Sequence, residues 1–239
     1  MCCVTGNYME IYNAKKEWSK NFSNQNNIFF PAEYVIRIFK GKYPKLNFQK
    51  KSFLDKKICD VGCGDGRNLV LLSTCGFKIH GIEISDELTA KIKSKMNNMK
   101  IKCDIKVGNN SNIPYKKSFF DFLLSWNSCY YMDNNLAFEK VVKEFARVLK
   151  KNGYLILSIP KKTCFIYQNS KEVKKGYRMI MNDPFKVRNG QIMRYFKNEN
   201  EIKNSFSKYF KNFIFASIED DCFGLNYHWH LLVCQKKSG

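Results

Sequence analysis

Residues 57–69, KICDVGCGDGRNL, limit most strongly what this chain can fold into. A short apolar run carrying an acid at Asp60 breaks into glycines at 62, 64 and 66, and a helix-compatible apolar pattern resumes over 68–72. The order is strand, tight loop, helix. Glycine suits a chain that reverses sharply and brings its backbone close to a ligand, because a Cβ would obstruct both. The spacing is G-x-G-x-G, with Arg67 where a dinucleotide fingerprint places its third glycine. The loop therefore points away from NAD and toward another adenosine-containing cofactor.

These residues resemble motif I of the class I S-adenosylmethionine-dependent methyltransferases, and the GDGRN ending is similar to the small-molecule, methyltransferase-11/tellurite-resistance-like branch of that superfamily. The resemblance spans about residues 57–160. It implies a doubly wound, Rossmann-like α/β sheet of seven strands with the last antiparallel, preceded by an N-terminal helical cap. It also implies S-adenosyl-L-methionine as cofactor and S-adenosyl-L-homocysteine as product. Residues 78–85, KIHGIEIS, read as a second strand ending in Glu83, about 20 residues past the glycines, the distance at which a parallel strand returns to the same edge. A carboxylate there can accept both ribose hydroxyls and suits a sulfonium charge. Under the resemblance Asp60 and the backbone of Gly62, Cys63, Gly64 and Gly66 hold the methionine moiety and Glu83 the ribose. Asn68, Ile84, Ser125 and Trp126 complete the expected cofactor contacts.

A helix over 88–99 and a third strand over 101–107 lead into GNNSNIP, where the family usually shows Gly-Asp and an acid that meets the adenine amino group. Asn109 replaces that acid here, and the contact falls to Asn109 or Asn110, whose side-chain oxygen can still accept a hydrogen bond. The fourth strand, 119–126, ends at Ser125 and Trp126, followed by Tyr130 and Tyr131. In an open parallel sheet this carboxyl end faces the ligand, so Tyr130 is either a site residue or a core aromatic, and Tyr131 is a candidate acceptor contact. A helix over 134–149, stopped by Gly153, and a strand over 154–160 close the core region.

The expected organisation is one methyltransferase domain over 1–239: a helical cap at 1–50, a cofactor-binding core at 51–160, an acceptor-side insertion at 161–198, and a C-terminal helix and strand pair at 199–239. The cap is rich in aromatics, which either pack on the sheet or, as the resemblance implies, fold over the cofactor with Tyr12 and Trp18 as lid residues. The insertion has mixed polarity and no long period. It is either a solvated basic segment or a source of Arg178, Arg188 and Arg194 to grip an anionic acceptor. In 199–239, a helix over 199–210 precedes a strand over 212–217. The last strand, 228–235, is expected to begin near the site mouth, placing His228 and His230 on one face as candidate bases.

The net charge of +20 permits an anionic partner, but the lysines are scattered as pairs through a Lys- and Asn-heavy chain. Nucleic acid is admitted by the charge and not favoured, because 125–128 reads SWNS rather than an Asn-Pro-Pro-Tyr-like tetrad. Ten cysteines without a C-x-x-C spacing suggest neither zinc nor disulfides, so no metal is expected. Unpaired thiols and the lack of a signal-like or membrane-length apolar run are read as a cytoplasmic protein. The reading is a methyltransferase acting on a small, anionic acceptor, phosphate- or sugar-containing, by O-methylation as in the decoration of bacterial capsular polysaccharide. The alternatives are an RNA methyltransferase and, in another class, a non-catalytic binding protein on a cofactor fold.

Overall fold

The structure, a computed structural model, describes residues 13–23, 30–50, 52–132 and 137–238. Helices α1 (Ala14–Ser23) and α2 (Glu33–Lys40) and a 3-10 turn (Asn47–Lys50) precede β1 (Lys57–Val61). Then follow α3 (Arg67–Thr74), β2 (Lys78–Glu83), α4 (Asp86–Asn98), β3 (Cys103–Val107), β4 (Phe120–Ser125), α5 (Phe138–Val148) and β5 (Leu149–Pro160). The remainder is α6 (Phe165–Gln168), β6 (Ser170–Lys174), β7 (Tyr177–Ile180), β8 (Ile192–Arg194), α7 (Glu199–Phe206), β9 (Phe210–Cys222) and β10 (Leu225–Lys236).

One seven-stranded sheet has the order β3-β2-β1-β4-β5-β10-β9. β1 pairs in parallel with β2 and β4, and β4 with β5, whereas β10 runs antiparallel to β5 and β9. This is the expected Rossmann-like sheet with its last strand reversed. The strand order turns back at β1, so the ends of β1 and β4 flank the switch point where such sheets bind ligands.

Each face is covered by a stripe of apolar residues at helical spacing. On α5, Phe138, Val141, Val142, Phe145 and Val148 are buried in one core with Leu123, Leu155 and Leu157. The other face buries Val35, Ile38 and Phe39 of α2 with Leu69 and Leu72 of α3. Phe39, Phe48, Phe53, Phe77 and Phe122 form an interlocked ring cluster there, with Phe53 stacked on Phe77 at 4.7 Å. These aromatics are core.

Strand β2 stops at Glu83, two residues earlier than the expected 78–85, because Ser85 turns the chain and caps α4, accepting from Leu88 N at 3.2 Å. The insertion carries structure that its pattern did not announce. β6, β7 and β8 make an antiparallel sheet, and β8 is bound to the segment after β4, with Arg194 N donating to Tyr130 O at 2.8 Å and Met132 N to Ile192 O at 3.1 Å. β9 runs on to Cys222, well past the expected 212–217, and turns through Phe223 and Gly224, both at positive φ, into β10. No helix among the described residues is long and apolar enough to cross a membrane.

Candidate active site

A cavity of about 370 Å³ opens at the carboxyl ends of the central strands. The glycine loop forms its floor, residues 108–111 and 126–128 its sides, and α1 with Arg188 and Gln191 its outer wall. Gly62, Gly64 and Gly66 all sit at positive φ, 72°, 59° and 79°. A Cβ on Gly62 would lie 2.7 Å from Ser128 Cβ, and one on Gly64 2.9 Å from Phe22 Cζ. The loop thus needs glycine both for its backbone angles and for the close approach of neighbouring side chains.

Two carboxylates are buried here. Among the described residues neither oxygen of Asp60 has a hydrogen-bond partner, although Asn68 lies near enough to favour the charged form. Burial, with Glu83 and Asp65 nearby, lifts its pKa to about 7. Asp60 does not line the cavity; it stands behind the loop that does. Glu83 lines the cavity, and its Oε2 accepts only a long 3.4 Å bond from Gly64 N. Burial lifts its pKa to about 7 as well, opposed by the backbone N–H groups of Gly64 and Ile84. Both acids are short of donors, and that is the chemistry needed to receive an ammonium group and ribose hydroxyls.

Asn109 and Asn110 both line the cavity and are not equivalent. The Asn109 carbonyl oxygen is already taken by the N–H and the hydroxyl of Ser111, each at 3.0 Å. Asn110 donates Nδ2 to Ser128 O at 2.8 Å, leaving its oxygen open. Ser125 is fully buried, does not line the cavity, and holds Ser128 through a 2.6 Å hydroxyl contact. Asn127 sits at φ 56°, fixed by reciprocal 2.7 Å bonds with Ser158. Cys63, Asn68, Ile84 and Trp126 also line the cavity.

The outer wall joins three distant segments. α1 is tied down by a 3.1 Å contact between Ser19 Oγ and Ser85 Oγ, and by Lys91 Nζ donating to Phe22 O at 3.1 Å. Trp18 then stacks on Phe22 and meets Tyr131 edge-on at 5.9 Å. Tyr131 accepts from Arg188 Nε at 3.0 Å, and Arg188 Nη1 donates to both oxygens of buried Asp183, at 2.9 and 3.2 Å. Burial pushes the Tyr131 hydroxyl up, against the pull of Arg188, so it stays protonated.

Several expected site residues stand elsewhere. Arg178 is held by Ser170, and Arg194 by Gly176 O, Tyr195 O and Glu201; neither lines the cavity. Tyr130 is core, packed on Tyr131 and Trp229, with its hydroxyl pushed well up by burial. The two histidines do not reach the mouth. Three strand positions separate β10 from β1, roughly 14 Å at about 4.8 Å each. The extended hairpin also engages His228 with Asp221 at 2.9 Å and Thr163 at 2.8 Å. His230 Nδ1 lies 3.6 Å from Glu199, too far for a hydrogen bond, and burial lowers its pKa. Tyr12 lies outside the described residues. Asn127 and Ser128 lie in the strand-end segment expected to face the ligand, whereas Gln191 lines the cavity with no signal in the sequence to mark it.

Fold and site together define a nucleotide-type cofactor site at the switch point of a doubly wound sheet. A methyltransferase-domain family matches residues 32–209, most of the chain. The chain belongs to the class I S-adenosylmethionine-dependent methyltransferase family. It is 30% identical over 157 residues to the ubiquinone biosynthesis O-methyltransferase of Pelagibacter ubique, covering 65% of this chain and 60% of that protein's length. A SAM-dependent methyltransferase of Methanosarcina mazei shares the fold at a TM-score of 0.63 and 22% identity, over 82% of this chain and 98% of the other. The 1,6-didemethyltoxoflavin-N1-methyltransferase of Burkholderia thailandensis, solved with 1,6-didemethyltoxoflavin and S-adenosylhomocysteine, does so at 0.66 and 10%, over 94% and 87%.

Proposed function

We propose that this chain transfers a methyl group from S-adenosylmethionine to a small anionic acceptor, at an oxygen atom. The observation that carries the reading is Glu83, a buried carboxylate with no cationic partner among the described residues, on the cavity wall beside three glycines at positive φ. S-adenosylmethionine, when bound, supplies a methyl group on a positively charged sulfur. The chain's own residues have to bind, orient and exclude water. Glu83 takes the ribose, the open oxygen of Asn110 takes the adenine amino group, and the N–H groups of the glycine loop, backed by Asp60, hold the methionine end.

The cavity is near the small end of the about 300–1,000 Å³ typical of ligand sites, which favours a small acceptor over a polymer. Oxygen is proposed as the acceptor atom on the strength of the O-methyltransferase relative. Carbohydrate decoration, in the cytoplasm, is a narrower setting whose support is the GDGRN ending and the free thiols. His228, His230 and Tyr130 stand off the cavity and are given no part in the reaction. Calorimetry with S-adenosylhomocysteine tests the proposal: saturable binding that weakens in Glu83→Gln supports it, and no binding to the wild type leaves a binding protein of another kind.

A further inference from the structure

Three of the four charged side chains on the cavity wall are paired off. Asp65 and Arg67 close on each other through contacts of 2.7–3.0 Å, and Arg188 is matched by Asp183 behind it. Glu83 is left, with Asp60 behind the loop. The field in the cavity is therefore not positive, despite the chain's +20, and a dianion would enter without a compensating cation.

One place still offers donors to an anion. Arg188 spends Nε on Tyr131 and Nη1 on Asp183, and among the described residues its Nη2 makes no hydrogen bond. The Tyr131 hydroxyl accepts from Arg188, so its own proton is free. Both residues line the cavity, and Arg188 lies 5.6 Å from the Trp18 ring, which also meets Tyr131. Asp183 fixes this arrangement: besides Arg188 it accepts the backbone N–H groups of Val187 and Arg188 at 3.0 and 3.2 Å, so the guanidinium is set in place before any ligand arrives. The free donors, two N–H of Nη2 and one O–H, match the two oxygens of a planar carboxylate.

We infer that the methyl acceptor is a small monocarboxylate, bound through its carboxylate by Arg188 Nη2 and the Tyr131 hydroxyl against the Trp18 ring. A phosphate ester is disfavoured, because its second negative charge would find no further cation on the wall and would face Glu83. The inference rests on the methyltransferase reading and specifies its acceptor side.

Benzoate, benzamide and phenyl phosphate carry one ring with a monoanionic, a neutral and a dianionic group. Each is titrated calorimetrically into the full chain with and without S-adenosylhomocysteine. Benzoate is expected to bind about tenfold more tightly than the other two, and Arg188→Gln to weaken it by about tenfold while S-adenosylhomocysteine binds unchanged. If Arg188→Gln melts early, Tyr131→Phe keeps the ring and removes the donor, with about a threefold loss expected. Phenyl phosphate binding as well as benzoate, or benzoate indifferent to both substitutions, overturns the inference. Absence of benzoate binding to protein that does bind S-adenosylhomocysteine overturns the inference alone, whereas loss of S-adenosylhomocysteine binding removes the methyltransferase reading itself.

Discussion

The two halves of the cavity treat charge in opposite ways. On the cofactor side, Asp60 and Glu83 are buried with too few donors, and both have pKa values lifted to about 7. On the proposed acceptor side, Arg188 is only partly buried and is matched by Asp183 and Tyr131 before any ligand arrives. Buried uncompensated charge is costly, so the cofactor half is held in a state that a ligand relieves, while the acceptor half is pre-organised and nearly neutral.

The largest effect should come from removing that uncompensated charge. Asp60 is lifted from 3.8 to about 7, about three pKa units or ~4 kcal/mol of cost to the ionised native protein. Its folded pKa is the higher one, so the native state holds the extra proton between about pH 4 and 7, and stability is lost as pH rises through that window. Asp60→Asn, a neutral isostere, is expected to raise the melting temperature of the ligand-free protein at pH 8 and to lessen its fall between pH 4 and 7, the remainder coming from Glu83. A wild-type melting temperature that instead rises over that interval would mean the carboxylate is compensated. Next comes Gly62→Ala, which forces a Cβ to 2.7 Å from Ser128 at φ 72°. Steric crowding and strain together cost about 3 kcal/mol, read as a lowered melting temperature and lost S-adenosylhomocysteine binding.

The same contrast explains what could be read from the sequence. The cofactor half is local: β1, the glycine loop and the end of β2 supply Gly62, Gly64, Gly66 and Glu83 from residues 57–83, and a βαβ unit brings them together by its connectivity alone. The acceptor half is assembled from α1, the segment after β4 and the insertion, so no spacing reveals that Trp18, Tyr131 and Arg188 meet. The insertion's sheet was equally hidden, because β6 (SKEVK) is largely exposed and lacks alternation and β8 is three residues long. Arg178, Arg188 and Arg194 are indistinguishable as letters; only the fold shows that two of them pin the insertion to itself.

Smaller effects sharpen the boundary between the halves. Glu83→Gln removes a charge-assisted acceptor and should weaken S-adenosylhomocysteine by about 1.5–3 kcal/mol, roughly 10–100-fold, with no change in benzoate affinity. In the wild type the ionised form binds, so affinity should fall as pH drops below about 7, and this trend should be weaker in the variant, where Asp60 alone still titrates in that range. Arg194→Met breaks the bonds to Gly176 and Glu201 and should cost about 1–2 kcal/mol of stability with acceptor binding intact, the reverse of Arg188→Gln.

The smallest expected effect is also the cleanest division between the site and the rest of the sheet. His228 is bonded to Asp221, which is exposed, and to Thr163, at the far side of β5 from the glycine loop, and its backbone oxygen accepts from Lys161 N at 2.9 Å whatever its side chain does. His228→Ala therefore loses two partly exposed side-chain bonds and leaves the strand pairing in place, a cost of about 0.5 kcal/mol or less. Turnover with a methylated acceptor should be unchanged across pH 6–9. A base within reach of the acceptor would instead leave a lost limb in the pH–rate profile, and such a loss in His228→Ala would require the β9–β10 hairpin to swing across β5 and β4 in the working enzyme.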